Sequence, residues 1–329
     1  MSDRPKFLVV RFSSIGDIVL TTPLIRALRE QINPRPEIHF LTKKAYRDVL
    51  AYNPHIDRIH TIEKATAEVM EELKAIEFDY IIDLHRNVRS AMVKKGLKMV
   101  DFTVDKQNFD KWLLVRFHYR RKPIRHIVHR YLEVLKPFGI AEDTGGLDFH
   151  IAPSASSEVE AAGFVLPAKY IAIALGATHI GKRMPEELLD AICAQSLLPL
   201  VLLGGKEDAA LGERLAAKHP NKVIQAAGKF SLHGSAHLLQ HAALLITGDT
   251  GLMHIGAALK VRLISVWGCT SPELGMSAYR PHVESANLEP KNRLKRPCSK
   301  LGDRCQYGAS QRCMTTLSAE AIIALIQQE

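Results

Sequence analysis

One pattern constrains this chain more than any other: a short apolar run, then a polar or glycine-bearing turn, then a segment with helical periodicity. Its first instance is Lys6–Phe12 (KFLVVRF), followed by Ser13-Ser14-Ile15-Gly16-Asp17 and a helical pattern over Ile18–Ile32 with Leu20, Leu24, Ala27 and Leu28 on one face. Apolar runs of this length read as strands buried on both faces. Further strands are predicted at 37–41, 58–61, 80–84 and 98–102, with helical patterns at 44–50, 66–76 and 88–96. A helix over His126–Ile140 stops at Gly139, and Pro153–Pro167 carries a short helix and marks the domain boundary. A second series then begins, with strands at 170–175, 198–203, 222–225, 244–247 and 262–267 and helices at 186–195, 209–218 and 234–241. Leu317–Gln328 closes the chain as an amphipathic helix with Ser318 as its N-cap. Alternating strands and helices predict an α/β fold built on doubly wound parallel sheets. A chain of 329 residues is long enough for two such domains.

Open parallel sheets bind ligands at the carboxyl edge of their strands, so the turns there are the places to look for chemistry. Asp17 lies at such an edge. It can serve as a reactive carboxylate, or it can close a capping box with Ser14. The stretch Ile246–Leu259 (ITGDTGLMHIGAAL) has the same form, a strand that re-enters as a helix through a polar turn. Its helix N-terminus offers unpaired N–H groups to an anion, and Thr250, Gly251 and His254 fall on one helical face. Asp249 is equally readable as an N-cap and His254 as a half-buried core histidine. The Asp-Thr-Gly triplet has no second copy, and a helical pattern follows it, which argues against an aspartic protease. Neither GxGxxG nor GxxxxGK[ST] occurs, so nucleotide binding is suggested by architecture rather than by motif.

The formal charge of +9 points to an anionic partner. Between Arg86 and Arg130, thirteen Lys and Arg face three Asp, an excess of +10, so this segment holds the equivalent of the chain's whole positive surplus of +9. That segment reads either as a solvated face or as a surface for an acidic substrate or a membrane. No helix-turn-helix, RNA-recognition or zinc-finger signature points to nucleic acid. The first apolar run is too short for a signal peptide, and no run of about 18 apolar residues occurs, so a cytoplasmic protein is expected. Five cysteines without an export signal imply no disulfide framework. Cys298, Cys305 and Cys313, spaced by seven and eight, lack a Cys-x-x-Cys pair and a fourth ligand nearby; they read as a structural loop rather than a metal site.

Taken in order, SSIGDIVLTTPLIRALR, FDYIIDLHRNVRS, GATHIGKRMP, LGGKED, GDTGLMHIGAAL and VWGCTSPE, with a cysteine-bearing tail, resemble the lipopolysaccharide heptosyltransferases, the family 9 glycosyltransferases. The resemblance implies a GT-B fold, two Rossmann-like domains facing across a cleft. Residues 1–163 would bind the acceptor and 164–312 the nucleotide-sugar, and the helix in 313–329 would return to pack on the first domain. It implies inverting transfer of a heptose from ADP-heptose to the acidic lipopolysaccharide inner core, with no cofactor and no metal. Asp17 then matches the catalytic base, Thr178 and Lys182 the donor loop, Glu207 a ribose contact, and Asp249, Thr250, Gly251 and His254 the donor-binding segment. Ser14, Gly16, Arg86, Arg89 and Arg120 fall to the acceptor, and peripheral contact with the inner membrane face is compatible with that substrate. The loop departs from the family at Met184, where many members carry an aromatic residue before the proline. A GT-B enzyme with another nucleotide-sugar, or a non-catalytic anion-binding protein, are the rival readings.

Overall fold

Every strand pair among the described residues is parallel. This agrees with the runs' lack of apolar–polar alternation, because parallel strands are covered by helices on both faces. The computed structural model describes residues 4–290, 295–306 and 312–327. The chain divides into two units, Met1–Lys106 with Arg125–His150, and Gln107–Ile124 with Ile151–Glu329.

The first unit holds β1 (Lys6–Val10), β2 (Glu37–Lys43), β3 (Arg58–Ile62), β4 (Tyr80–Asp83) and β5 (Val100–Thr103), in the order β3-β2-β1-β4-β5. Its helices are α1 (Ile15–Val19), α2 (Thr22–Gln31), α3 (Ala67–Ile76), α4 (Val88–Leu97) and, beyond α5 (Asn108–Phe117), α6 (Ile127–Leu132). Leu8, Val10, Phe12, Leu41, Ile81 and Val93 are among the side chains of one buried cluster in this unit.

The helix predicted over 18–32 starts earlier and breaks in two. Pro23 cannot donate to the Val19 carbonyl, and the Thr22 hydroxyl takes that acceptor at 2.8 Å while Thr21 bonds the Ile18 carbonyl at 2.6 Å. The helix predicted over 126–140 tightens after Leu132 into a 3-10 turn, Glu133–Phe138, that contains Pro137 and ends at Gly139 in the left-handed region (φ 72°).

The second unit holds β6 (Ile171–Ala174), β7 (Leu200–Leu203), β8 (Val223–Gln225), β9 (Leu244–Thr247), β10 (Leu263–Val266) and β11 (Ala286–Leu288), in the order β11-β10-β9-β6-β7-β8. Around them lie α7 (Ala155–Ala161), α8 (Glu186–Gln195), α9 (Ala209–Lys218), α10 (Leu232–Gln240), α11 (Gly251–Ala258), α12 (Arg312–Thr315) and α13 (Ala319–Ile326). Both sheets are Rossmann-like: the first strand is central, and the chain builds one side before crossing to the other. Strand order therefore reverses between β1 and β4, and between β6 and β9. Two such units in one chain constitute the GT-B architecture. No helix among the described residues is long and apolar enough to cross a membrane.

Three expectations about the layout change. The boundary falls after His150 rather than after residue 163, because α7 packs on α10 and Glu158 accepts from the Ser231 N–H and hydroxyl, both at 2.6 Å. Helix α5 lies in the basic stretch for which no helix was expected, and it groups with the second unit. The final helix, expected to pack on the first domain, packs on α8 of the second. Ile322 is fully buried in the same cluster as Leu188, Leu189 and Ile192, Gln195 donates to Glu320 at 2.8 Å, and Arg262 donates to the Leu325 carbonyl at 2.8 Å. Ser318 caps it as predicted, accepting from the Ala321 N–H. Residues 328–329 lie outside the described residues.

Truncating Ile322 to Ala should therefore lower the stability of the second unit by about 2–5 kcal/mol, the usual cost of such a cavity. Urea unfolding followed by the fluorescence of Trp267, buried in that unit, reads the change; an unchanged midpoint would detach α13 from the core described here.

Candidate functional site

Each reversal of strand order gathers the loops after the first and fourth strands of its unit, and each carries an ion pair. In the first unit the loop after β1 turns into α1 through a capping box. The Asp17 carboxylate accepts from the Ser14 N–H at 3.2 Å and from its hydroxyl at 3.0 Å. Its other oxygen meets the Arg11 guanidinium at 2.7 Å. Arg11 also donates to the Ser13 carbonyl at 2.8 Å and, across the reversal, to the Leu84 carbonyl at 2.7 Å. Burial works against the charge on Asp17, but Arg11 and Ser14 overcome it and bring the carboxyl down to about 2. The local capping reading and the reactive-carboxylate reading thus share one geometry. Gly16 is buried in the first turn.

The loop after β4 is set by Asp83, which accepts from the N–H groups of His85 (2.9 Å) and Arg86 (2.7 Å) and from the Ser90 hydroxyl (2.7 Å). It presents His85, which sequence reading passed over. The ring packs edge-on to Phe12 at 5.2 Å, and its buried Nδ1 has no hydrogen-bond partner among the described residues. Burial first, and then Arg11, push this imidazole down to about 4, so it is neutral at physiological pH. Arg86 bends away to the Val104 carbonyl at 3.1 Å, and Arg89 is exposed on the first turn of α4. Arg120 does not join them. It belongs to the second unit, where its guanidinium is held by Glu273 at 2.8 and 3.1 Å.

In the second unit Lys182 sits in a 3-10 turn after β6 and Asp249 in the loop after β9, with Nζ and carboxylate 2.8 Å apart. Both are largely buried, at 19% and 9% side-chain exposure, so the pair is held in one place rather than sampled at the surface. Gly248 is required beneath it, because a Cβ there would collide with the Lys182 carbonyl. Gly302, in the left-handed region at φ 79°, packs against the stem of Lys182; a Cβ there would lie 2.7 Å from Cγ. Beyond Asp249, Thr250 is the N-cap of α11, yet its hydroxyl turns to Thr247 at 3.0 Å and makes no capping bond. The first N–H groups of α11, beginning at Gly251, are therefore left without a side-chain cap. His254 is buried one turn further on.

Thr178 and Glu207 are exposed on the loops after β6 and β7. Asp208, next to Glu207 and unnoticed in the sequence, is a second buried carboxylate on this edge. It accepts from the Gly205 N–H at 2.9 Å and faces Arg183 at 3.9 Å; burial raises its pKa against both partners. The tail also departs from its sequence reading. Cys298 and Cys305 meet Cys269, from the loop after β10, with their sulfurs all within 4.8 Å. The missing neighbour was 29 residues upstream, outside any local spacing rule.

The sequence profile of glycosyltransferase family 9 (heptosyltransferase) matches residues 66–303. Lipopolysaccharide heptosyltransferase 1 of Pseudomonas aeruginosa is 25% identical over 296 residues, covering 81% of this chain and 79% of that protein. A family 9 glycosyltransferase from Veillonella parvula superposes with a TM-score of 0.80 at 23% identity, over 99% of this chain and 98% of the other. The ADP-heptose LPS heptosyltransferase II of E. coli gives 0.72 at 18% identity, over 98% and 99%. These structural likenesses show a shared fold.

The depressed carboxyl of Asp17 links this corner to pH. Because its folded pKa lies below its unfolded value, the stabilisation is complete above about pH 4 and disappears as pH falls to about 2. Asp17→Asn should cost about 2 kcal/mol at pH 7, and the gap to the wild type should close by pH 2. Denaturant midpoints across that range test it; a pH-independent gap would mean that the ion pair is not its source.

Proposed function

Because the chain belongs to glycosyltransferase family 9, the heptosyltransferases, we propose that it transfers a heptose from ADP-heptose to an acidic lipopolysaccharide inner-core acceptor, with inversion at the sugar carbon. The observation that carries this reading is the Lys182–Asp249 pair beside the uncapped N-terminus of α11, at the strand-order reversal of a Rossmann-like sheet. A fixed ammonium and a set of open N–H groups suit a diphosphate, whose negative charge grows as the sugar leaves. In this reading Asp249 orients Lys182 toward that group, and Thr178, Glu207 and His254 complete the donor site. These groups supply the charge stabilisation that a metal provides in other transferases.

Asp17 is the base that takes the acceptor hydroxyl's proton as the new bond forms. A carboxylate held near 2 is always ionised but is a weak base. An acidic acceptor offers a remedy: if its anionic group draws the Arg11 guanidinium, the basicity of Asp17 rises where the proton must be taken. Ser14 and Gly16 shape the same turn, and Arg86 and Arg89 add positive charge near it. Arg120, engaged with Glu273 in the other unit, is better assigned to the surface that follows α5 than to the acceptor.

That surface is both basic and aromatic. Phe109, Trp112, Phe117 and Tyr119 are each more than half exposed, with Arg121 over Phe109 and Arg116 over Phe117. Aromatic rings with basic partners suit the headgroup region of an anionic bilayer, where a lipid-anchored acceptor resides. This supports a protein working at the cytoplasmic face of the inner membrane. Flotation with anionic vesicles should carry the wild type but not a Trp112→Ser, Phe117→Ser variant; equal flotation would remove α5 from any membrane contact.

The transfer is tested by incubating the protein with ADP-heptose and core acceptors and weighing the product, with UDP- and GDP-sugars as competing donors. The expected product is the acceptor plus one heptose, from the ADP donor alone. Asp17→Asn should lose at least 100-fold in kcat while binding the donor normally, on the scale of general-base removal (about 10²–10⁴). Lys182→Ala should stay folded yet lose both donor affinity and rate. Wild-type turnover in the first would dismiss Asp17 as base, and in the second would place leaving-group stabilisation elsewhere.

A further inference from the structure

Away from both ion pairs, the second unit gathers three of the chain's five cysteines, with a fourth, Cys313, beside Cys298. The sulfurs of Cys269, Cys298 and Cys305 lie within 4.8 Å of one another, and Cys313, buried in α12, interacts electrostatically with Cys298. None of them is in a disulfide. The backbone that carries them is built, not loose. The Cys298 N–H donates to the Cys269 carbonyl at 2.8 Å, and the Cys269 N–H to the Gly181 carbonyl at 3.0 Å. Arg296 binds the Trp267, Gly268 and Thr270 carbonyls at 3.0, 2.6 and 2.8 Å, so the loop that presents Cys269 is clasped from the tail side.

We propose that Cys269, Cys298, Cys305 and Cys313 are the ligands of a single thiophilic metal ion, zinc or iron, that pins the C-terminal tail to the loop after β10. Sulfur-only donor sets select such ions, and tetrahedral coordination is their common geometry. Metal–sulfur bonds of about 2.3 Å place the sulfurs of a tetrahedron about 3.8 Å apart, which three of these thiols reach by sub-ångström movements. A core packing role explains the group poorly, since two of its members, Cys298 and Cys305, are only half-buried. Cys193 shows the alternative: it lies fully buried in the hydrophobic cluster of the second unit and is not part of the thiol group.

The position gives the ion a structural task. Gly181 packs against Cys269, where a Cβ would lie 2.7 Å from its sulfur, and donates its N–H to the Gly302 carbonyl at 3.1 Å. Gly302 in turn seats the Lys182 stem. The metal would thus fasten the segment on which Lys182 rests, without touching any reacting atom.

The test is metal content of the full chain purified without chelator, by plasma mass spectrometry, with X-ray absorption to read the ligand shell. One zinc or iron per chain with a sulfur-only shell is expected, lost in Cys298→Ser and retained in Cys193→Ala. Should Cys298→Ser prove insoluble, the wild type stripped by chelator under reducing conditions is titrated with Co²⁺. Thiolate charge-transfer and tetrahedral ligand-field bands at one equivalent are then the expected signature. A chain that stays metal-free after reconstitution with Zn²⁺ and Fe²⁺ overturns the proposal. So does a disulfide between any two of the four in protein isolated metal-free from a reducing cytoplasm, or a metal that survives loss of Cys298.

Discussion

An ion pair stands where each sheet reverses its strand order, and much of the local structure is arranged to hold it there. The reversal leaves a crevice at the carboxyl ends of two neighbouring strands, because the connections leave in opposite directions. Arg11–Asp17 occupies that place in the first unit and Lys182–Asp249 in the second. Withdrawing such charges from water costs several kcal/mol per ion, which is offset only when partners and hydrogen bonds fit well. Arg11 meets this with two backbone carbonyls besides Asp17, and Asp17 with the Ser14 turn. Lys182 meets it through a loop whose close approaches require Gly248 and Gly302.

The two pairs are not equivalent in chemistry. In the first, the cation depresses the carboxylate, which orders it and weakens it as a base at the same time. The neighbouring His85 is kept neutral by burial first and then by the same arginine, so Arg11 acts on both Asp17 and His85. In the second, the carboxylate serves the cation, holding the ammonium beside a helix N-terminus that no side chain caps. In the proposed transfer, the first edge handles a proton and the second holds an anion. That division is the physical basis for assigning acceptor chemistry to the first unit and donor binding to the second.

Much of the secondary structure was legible because it is local. Apolar runs of four or five residues became strands, and the helices over 186–195 and 209–218 have the predicted limits. The failures have particular causes. The break between α1 and α2 comes from a proline and two threonine hydroxyls that compete for helix carbonyls. Helix α5 carries Phe109, Trp112, Leu113 and Phe117 at helical spacing, but within a segment whose net charge dominates its reading and on a face left largely exposed. The placement of α13 could not be read from its own pattern: an apolar face says that something covers it, not which surface does.

By itself the sequence determined the alternation of strand and helix, the parallel sheets that follow from two-sided burial, the capping turn at Asp17 and the glycine-bearing turn at Asp249. It also placed both turns at strand ends. Each of these depends on residues within a few positions of one another, where periodicity and turn chemistry operate. Only the tertiary structure decided which partners those residues find. It brought Arg11 to the Leu84 carbonyl, Lys182 to Asp249, His85 against Phe12, and Cys269 to the cysteines of the tail. Such contacts join segments tens of residues apart. They are set by strand order and by the crossovers between strands, which leave no mark in local spacing.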